Sequence, residues 1–154
     1  MEKALGLELR KISNLSYRFF EQCTNHRLVD EITGANGWII GFIGRRNEEG
    51  HEVYQRDVEA KLGVTRSTAS KVINLMVQKG LIVQKSVPGD KRLKSLILTP
   101  RGQEIKQLID EDHRLFENTL RQAVTAEELE TLFTLLDRIK QQIEQSMNKE
   151  EMSK

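Results

Sequence analysis

The 154-residue chain is short of several things, and each shortage removes a class of protein. Cys23 is its one cysteine, so no internal disulfide can form. With no apolar run long enough to span a bilayer, the chain offers no membrane segment. The opening MEKALGLELRK mixes acids with bases and has no apolar h-region, which argues against a signal peptide. Together these point to the cytoplasm. No glycine-rich phosphate loop, G-x-S-x-G, H-E-x-x-H or nucleophile–base constellation occurs, so an enzyme is not expected. Only two prolines are present, and each marks a boundary: Pro88 with Gly89 makes a turn, and Pro100 opens a helix.

What the chain does have is charge, and it is unevenly placed. Between Val64 and Arg101 the bases Arg66, Lys71, Lys79, Lys85, Lys91, Arg92, Lys94 and Arg101 meet a single acid, Asp90. That segment carries +7 in a chain whose net charge is +1, which leaves −6 for the rest. A basic module on an acidic body has nucleic acid as its natural partner.

Apolar periodicity marks the elements. Leu5, Leu9, Ile12, Leu15, Phe19 and Cys23 form one stripe of a helix from Leu5 to about Arg27. Thr33 is placed to cap a second helix carrying Trp38, Ile39, Ile40 and Ile43, which fades in the polar EEGHE turn. A short helix from Gln55 to Leu62 stops at Gly63, and Thr65 caps the next, which runs to Lys79 and ends at Gly80. LIVQKSV and LKSLILT are rich in strand formers and flank the Pro88-Gly89-Asp90 turn, a hairpin pattern. Thr99-Pro100 starts a long helix reaching about Gln122, and Thr125 with Glu128 is a capping box for the last one. There Leu129, Leu132, Leu136, Ile139 and Ile143 make a heptad seam. The terminal helices hold more apolar surface than a lone amphipathic helix can hide, and packing them against a second copy is the economical solution.

The helix after Thr65 is the informative one. At about 100° per residue, Arg66, Ser67, Ser70, Lys71, Asn74 and Gln78 fall on one side. Leu75, Val72, Met76, Ala69 and Ile73 fall on the other, with Val77 the exception. The polar side has cations, hydroxyls and amides but no acid, which suits phosphates and base edges. The helix and glycine turn before it complete a helix-turn-helix, and the exposed tip with Lys91 and Arg92 suits a narrow, electronegative groove.

These residues resemble the MarR family of bacterial winged helix-turn-helix regulators over almost the whole chain. The likeness rests on Gln55, the stretch LGVTRSTASKVINLMVQKGLI from Leu62 to Ile82, and Asp90-x-Arg92 followed by Leu98-Thr99-Pro100-x-Gly102. It implies a mainly α (α+β) fold: a winged helix-turn-helix lobe over residues 33–99, and a dimerisation region of terminal helices at 1–30 and 100–147. Residues 148–154 are expected to be a frayed tail. It further implies a cytoplasmic homodimer that represses transcription from a palindromic double-stranded operator.

Thr65, Arg66, Ser67, Thr68, Ser70 and Lys71 match the family's recognition helix, and Arg92 its minor-groove arginine. Asn74 and Lys91 join them from the reading of the helix face and the tip. Asp90 matches the acid that braces the wing by ionic contact. Tyr54 stands where a Thr or Ser commonly caps the helix, and its hydroxyl, with Gln55, is expected at the DNA backbone. The resemblance also implies release by a small hydrophobic or aromatic effector in a crevice that Tyr17, Phe19, Phe20, Trp38 and Phe42 could line. Cys23 offers a thiol-sensing alternative. Cys23, His26 and His113 with nearby acids offer a weaker metal-responsive one, and no metal ligand set or cofactor is assigned. The fold could also serve as a protein-interaction module without DNA, which the acid-free face opposes.

Overall fold

In the computed structural model, residues 3–23 and 36–151 are described. Six helices and one hairpin follow in order: α1 (Leu5–Cys23), α2 (Asn36–Glu48), α3 (Gln55–Leu62), α4 (Arg66–Gln78), β1 (Ile82–Val87), β2 (Asp90–Leu98), α5 (Pro100–Arg121) and α6 (Ala126–Glu151). Thr33, His26 and the expected end of the first helix lie outside the described residues. No helix among those described is long and apolar enough to cross a membrane. The chain divides into two compact units, Met1–His113 and Arg114–Lys154, with the division inside α5.

The first unit is built around one apolar core. Ile39, Ile40 and Ile43 of α2, Val58 of α3, Ile73 and Met76 of α4, and Ile105 and Ile109 of α5 converge on it. Leu81, Ile82, Leu96 and Leu98 add the root of the hairpin. Burying an aliphatic side chain of this size contributes roughly 1.5–3 kcal/mol, so this cluster is what holds the short helices α3 and α4, which are too brief to be stable alone. The hairpin is antiparallel, from Ile82 opposite Leu98 to Ser86 opposite Lys94, after which the register shifts and Val87 faces Asp90. Only its root is buried; the far end projects into solvent.

The glycine of the Leu98-Thr99-Pro100-x-Gly102 motif has a steric cause. Thr99 N–H donates to Leu81 O at 3.0 Å and its hydroxyl to Gly80 O at 2.6 Å, while Gly102 N–H donates to Thr99 Oγ1 at 3.0 Å. These bonds press the first turn of α5 onto the Leu81 carbonyl so closely that any Cβ at position 102 would overlap it.

One expectation is corrected. β2 begins at Asp90 rather than Leu93, because the two-residue Pro88-Gly89 turn, with Gly89 at φ 89°, lets pairing resume at once through the register shift. α6 is helical through Glu151. The apolar stripe of α1 buries no residue within one chain: Ile12 and Leu15 are 57% and 59% exposed. In the second unit the capping box forms as expected, Thr125 N–H to Glu128 Oε2 at 2.8 Å and Glu128 N–H to Thr125 Oγ1 at 3.2 Å. There the heptad seam of α6 is also open, with Leu132 42% and Ile143 53% exposed.

Candidate nucleic-acid interface

Gly63 takes the left-handed conformation at φ 62°, ψ 33°, which ends α3 and turns the chain within two residues into α4. Thr65 is the N-cap of α4, its Oγ1 accepting Thr68 N–H at 3.2 Å and its hydroxyl lying 3.0 Å from Thr68 Oγ1. The cap satisfies one of the orphan amides at the helix start. It also commits the Thr65 hydroxyl, while Thr68 keeps its own hydroxyl hydrogen for an outside partner.

Ala69, Ile73 and Met76 anchor α4 in the core, with Val72 and Val77 partly buried beside them. Arg66, Ser67, Thr68, Lys71, Asn74 and Gln78 are exposed, and Ser70 sits at the boundary. Two assignments of the helix face change. Leu75, placed on the core side, is 39% exposed, and Val77, the apparent exception, packs on the core. The core contacts α4 along an arc rotated from the one its apolar residues alone define, because the hairpin root and α3 cover different sides.

The turn before α4 is braced rather than open. Gln55 Nε2 donates to Glu59 Oε1 at 3.1 Å and to Arg66 O at 3.3 Å, so its amide hydrogens are used inside the protein and only its oxygen faces other partners. Tyr54 does not cap α3 with its side chain: Asp57 Oδ2 accepts Tyr54 N–H at 2.8 Å instead, and the Tyr54 hydroxyl donates to Glu52. That carboxylate pushes the phenol pKa up. Arg56, which the sequence reading passed over, lies over the Tyr54 ring at 5.1 Å. Its place in the first turn of α3, beside Gln55, was the signal available.

On the wing, Lys91 and Arg92 are exposed at the start of β2. Asp90 accepts Arg92 N–H at 2.9 Å, so it braces the wing through the main chain rather than by the expected ionic contact. No ion pair holds Arg66, Lys71, Lys91 or Arg92 among the described residues, which leaves four cations on two adjoining elements free to meet phosphate.

The aromatic residues expected to line a crevice do not gather as one group. Phe20 meets Phe19 and Trp38 edge-on, each at 5.8 Å, and touches His113 at 5.2 Å. Trp38 stacks on His113 at 3.9 Å with an 18° interplanar angle. Tyr17 stands apart, exposed and hydrogen-bonded to Glu21, whose carboxylate raises its pKa. Phe42 packs on the core. His113, considered from sequence only as a metal ligand, belongs to the aromatic cluster instead. Burial, then Arg45, drive its pKa down to about 4, against the pull of Asp110. Cys23 is partly buried, and burial and Asp112 push its thiol pKa up, away from the reactive thiolate. No group of three or more metal-ligating side chains occurs among the described residues.

The model of the MarR family matches residues 31–93. A Thauera aromatica protein assigned to transcriptional regulation of the hcr operon is 28% identical over 143 residues, covering 92% of this chain and 82% of that protein. S. aureus MepR, solved as a DNA complex, aligns with a TM-score of 0.76 at 23% identity over 92% of this chain and 99% of its own. Streptomyces coelicolor PcaV, solved with its natural ligand, aligns with a TM-score of 0.73 at 20% identity over 92% of this chain and 98% of its own. At these identities the two structures establish a shared fold.

Proposed function

Because the chain belongs to the MarR family of winged helix-turn-helix transcription regulators, we propose that it binds a specific double-stranded DNA site as a homodimer, with repression there relieved by a small molecule. The family and its relatives regulate transcription, and the chain is a regulator rather than an enzyme. The observation that carries the DNA reading is the α4 face: solvent-exposed, free of acids, capped by Thr65 and followed by a wing whose Lys91 and Arg92 have no ion pair among the described residues. In this reading Arg66, Ser67, Thr68, Ser70, Lys71 and Asn74 enter a major groove. Arg92 and Lys91 reach the adjoining minor groove.

The dimer reading rests on apolar surface. α1 buries none of its residues, and α6 leaves Leu132, Phe133, Leu135, Ile143 and Met147 exposed. Faces of this kind mark association sites, and a two-fold pair doubles a contact surface that is small in one lobe. The effector reading is supported by the Phe20–Trp38–His113 cluster and by PcaV, a relative in fold solved with a ligand. An effector must prefer the arrangement that does not bind DNA, or it shifts nothing.

Selection of bound DNA from a random pool tests the proposal. A palindrome with half-sites about one helical turn apart is expected. A salt titration should cost ~10³–10⁵ in affinity between about 50 and 200 mM salt if ~6–10 phosphates are contacted. Recovery of no preferred sequence, with salt-independent retention, would leave a protein-interaction module in its place.

A further inference from the structure

The wing is a two-stranded hairpin, a unit that is marginal on its own. From Ser95 toward the tip its side chains are exposed, with only Val87 and Leu93 half-buried, so its direction is settled at the root. There Leu81, Ile82, Leu96 and Leu98 enter the core. Apolar burial holds them in place but is non-directional, and it fixes no angle. Hydrogen bonds do that, and β2 makes three of them along the edge turned away from β1.

Leu96 N–H donates to Val53 O at 2.7 Å. Asn47, half-buried in the last turn of α2, supplies the other two. Its Nδ2 donates to Leu96 O at 3.2 Å, and its Oδ1 accepts Leu98 N–H at 3.2 Å. One side chain thus makes the pair of bonds that a residue of a parallel neighbouring strand would make. The order of acceptor and donor along β2 allows the carboxamide only this orientation.

α2 is held at the close range these bonds need. Gly44, one turn before Asn47, is bare, and a Cβ there would overlap Leu98 Cδ1 and the stem of Lys106. Lys106 is 5% exposed and sets Nζ 3.2 Å from Glu48 Oε1 and 2.6 Å from Asp110 Oδ2, which ties the same turn of α2 to α5. The foot of the hairpin therefore stands against a turn that is itself fixed.

We propose that Asn47 is the positioning residue of the wing: its carboxamide sets the direction in which the hairpin leaves the lobe, and with it the reach of Lys91 and Arg92. From Leu96 to Arg92 the strand is a lever of about 13 Å. A tilt of about 20° at the root carries Arg92 about 4–5 Å, farther than a hydrogen bond can stretch while α4 stays seated. Asn47 is uncharged and lies at the foot of the hairpin, so it acts on DNA through the wing. What the wing is used for rests on the DNA reading above; the bracket at its root does not.

Two substitutions break the match in different ways. Asn47→Ala removes both bonds. Asn47→Asp keeps the acceptor for Leu98 N–H and sets its second oxygen against Leu96 O, and it carries the test should Asn47→Ala unfold. Residual dipolar couplings of the backbone amides report the direction of the hairpin against the helices without DNA. In both variants the couplings of α3 and α4 should stay at wild-type values, while those of Val83–Val87 and Asp90–Lys94 shrink or change sign. Affinity for the tightest duplex recovered from the random pool should fall about tenfold. In a Lys91→Ala/Arg92→Ala background the same substitution should cost less than about twofold, because the two changes act through one contact. A residue that only holds the fold would weaken binding equally in both backgrounds.

Unchanged hairpin couplings overturn the proposal, whatever DNA does. So does an equal loss of affinity in the two backgrounds. Displaced couplings, with Lys91→Ala/Arg92→Ala binding as tightly as wild type, support the bracket and sink the minor-groove reading of the wing. Displaced couplings in a protein that retains no DNA support the bracket and sink the DNA reading.

Discussion

The side-chain amide of Gln55, in the first turn of α3, donates to the main-chain carbonyl of Arg66 at the start of α4 across 3.3 Å. One hydrogen bond thus ties the two helices of the helix-turn-helix at the end where α4 presents its first contacts. The same amide group reaches Glu59 on its own helix, so the bracket is fixed at both ends. Removing it with Gln55→Ala should lower unfolding free energy by about 0.5–1.5 kcal/mol, the net worth of such a bond. DNA affinity should fall further than folding alone explains, because the start of α4 loses its register. Denaturant melts and a binding isotherm on the same variant check this. A loss of stability with full affinity would make the bracket a folding device only.

On the wing, Arg92→Ala should weaken DNA binding with the oligomeric state unchanged in sedimentation. Asp90 offers a sharper comparison. It accepts Arg92 N–H and makes no ion pair among the described residues, so Asp90→Asn, which keeps an acceptor oxygen, should bind DNA like the wild type, while Asp90→Ala should not. Equal losses in both variants would restore an ionic role for the carboxylate.

Along α4, Ser70→Ala and Lys71→Ala should each weaken binding more than Gln78→Ala, which lies at the far end of the helix. A single lost phosphate contact should also reduce the salt slope of Lys71→Ala by about one. Dominance of Gln78 in the isotherms would reverse the docking direction proposed for the helix.

His113 provides a pH test. Its pKa of about 4 in the fold lies below the ordinary 6.5, with burial the main cause and Arg45 the second. The unfolded chain therefore takes up a proton between these values while the folded one does not. This contribution to stability is complete above about 6.5 and is lost as pH falls toward 4, on the order of 3 kcal/mol in all. Urea melts across that range should show the slope in wild type and a shallower one in His113→Phe, which keeps a ring against Trp38 and cannot titrate. Identical slopes would place the titration elsewhere.

Local chemistry made much of this protein readable before any fold was known. The Thr65 cap, the Gly63 stop, the Thr125–Glu128 box and the Pro88-Gly89 turn depend on neighbours within a few residues, and each sits where its residues demand. The charge segregation was equally plain, since it needs only counting, and it pointed to the face and wing that carry the free cations.

What depends on approach through space could not be read in this way. The true core arc of α4 follows from where the hairpin root and α3 press against it, which moved Leu75 outward and Val77 inward. Gly102 looked like a motif letter until the Leu81 carbonyl was found against it. Tyr54 turned to Glu52, and His113 joined Trp38 across about half the chain's length, pairings that no periodicity encodes. The sequence by itself determined the elements, their caps and the sign of the surface, because those are set by bonded neighbours and composition. Only the tertiary structure decided that the Asn47 carboxamide would close the edge of β2, because the open bonds of a strand edge are met by whatever packs beside it.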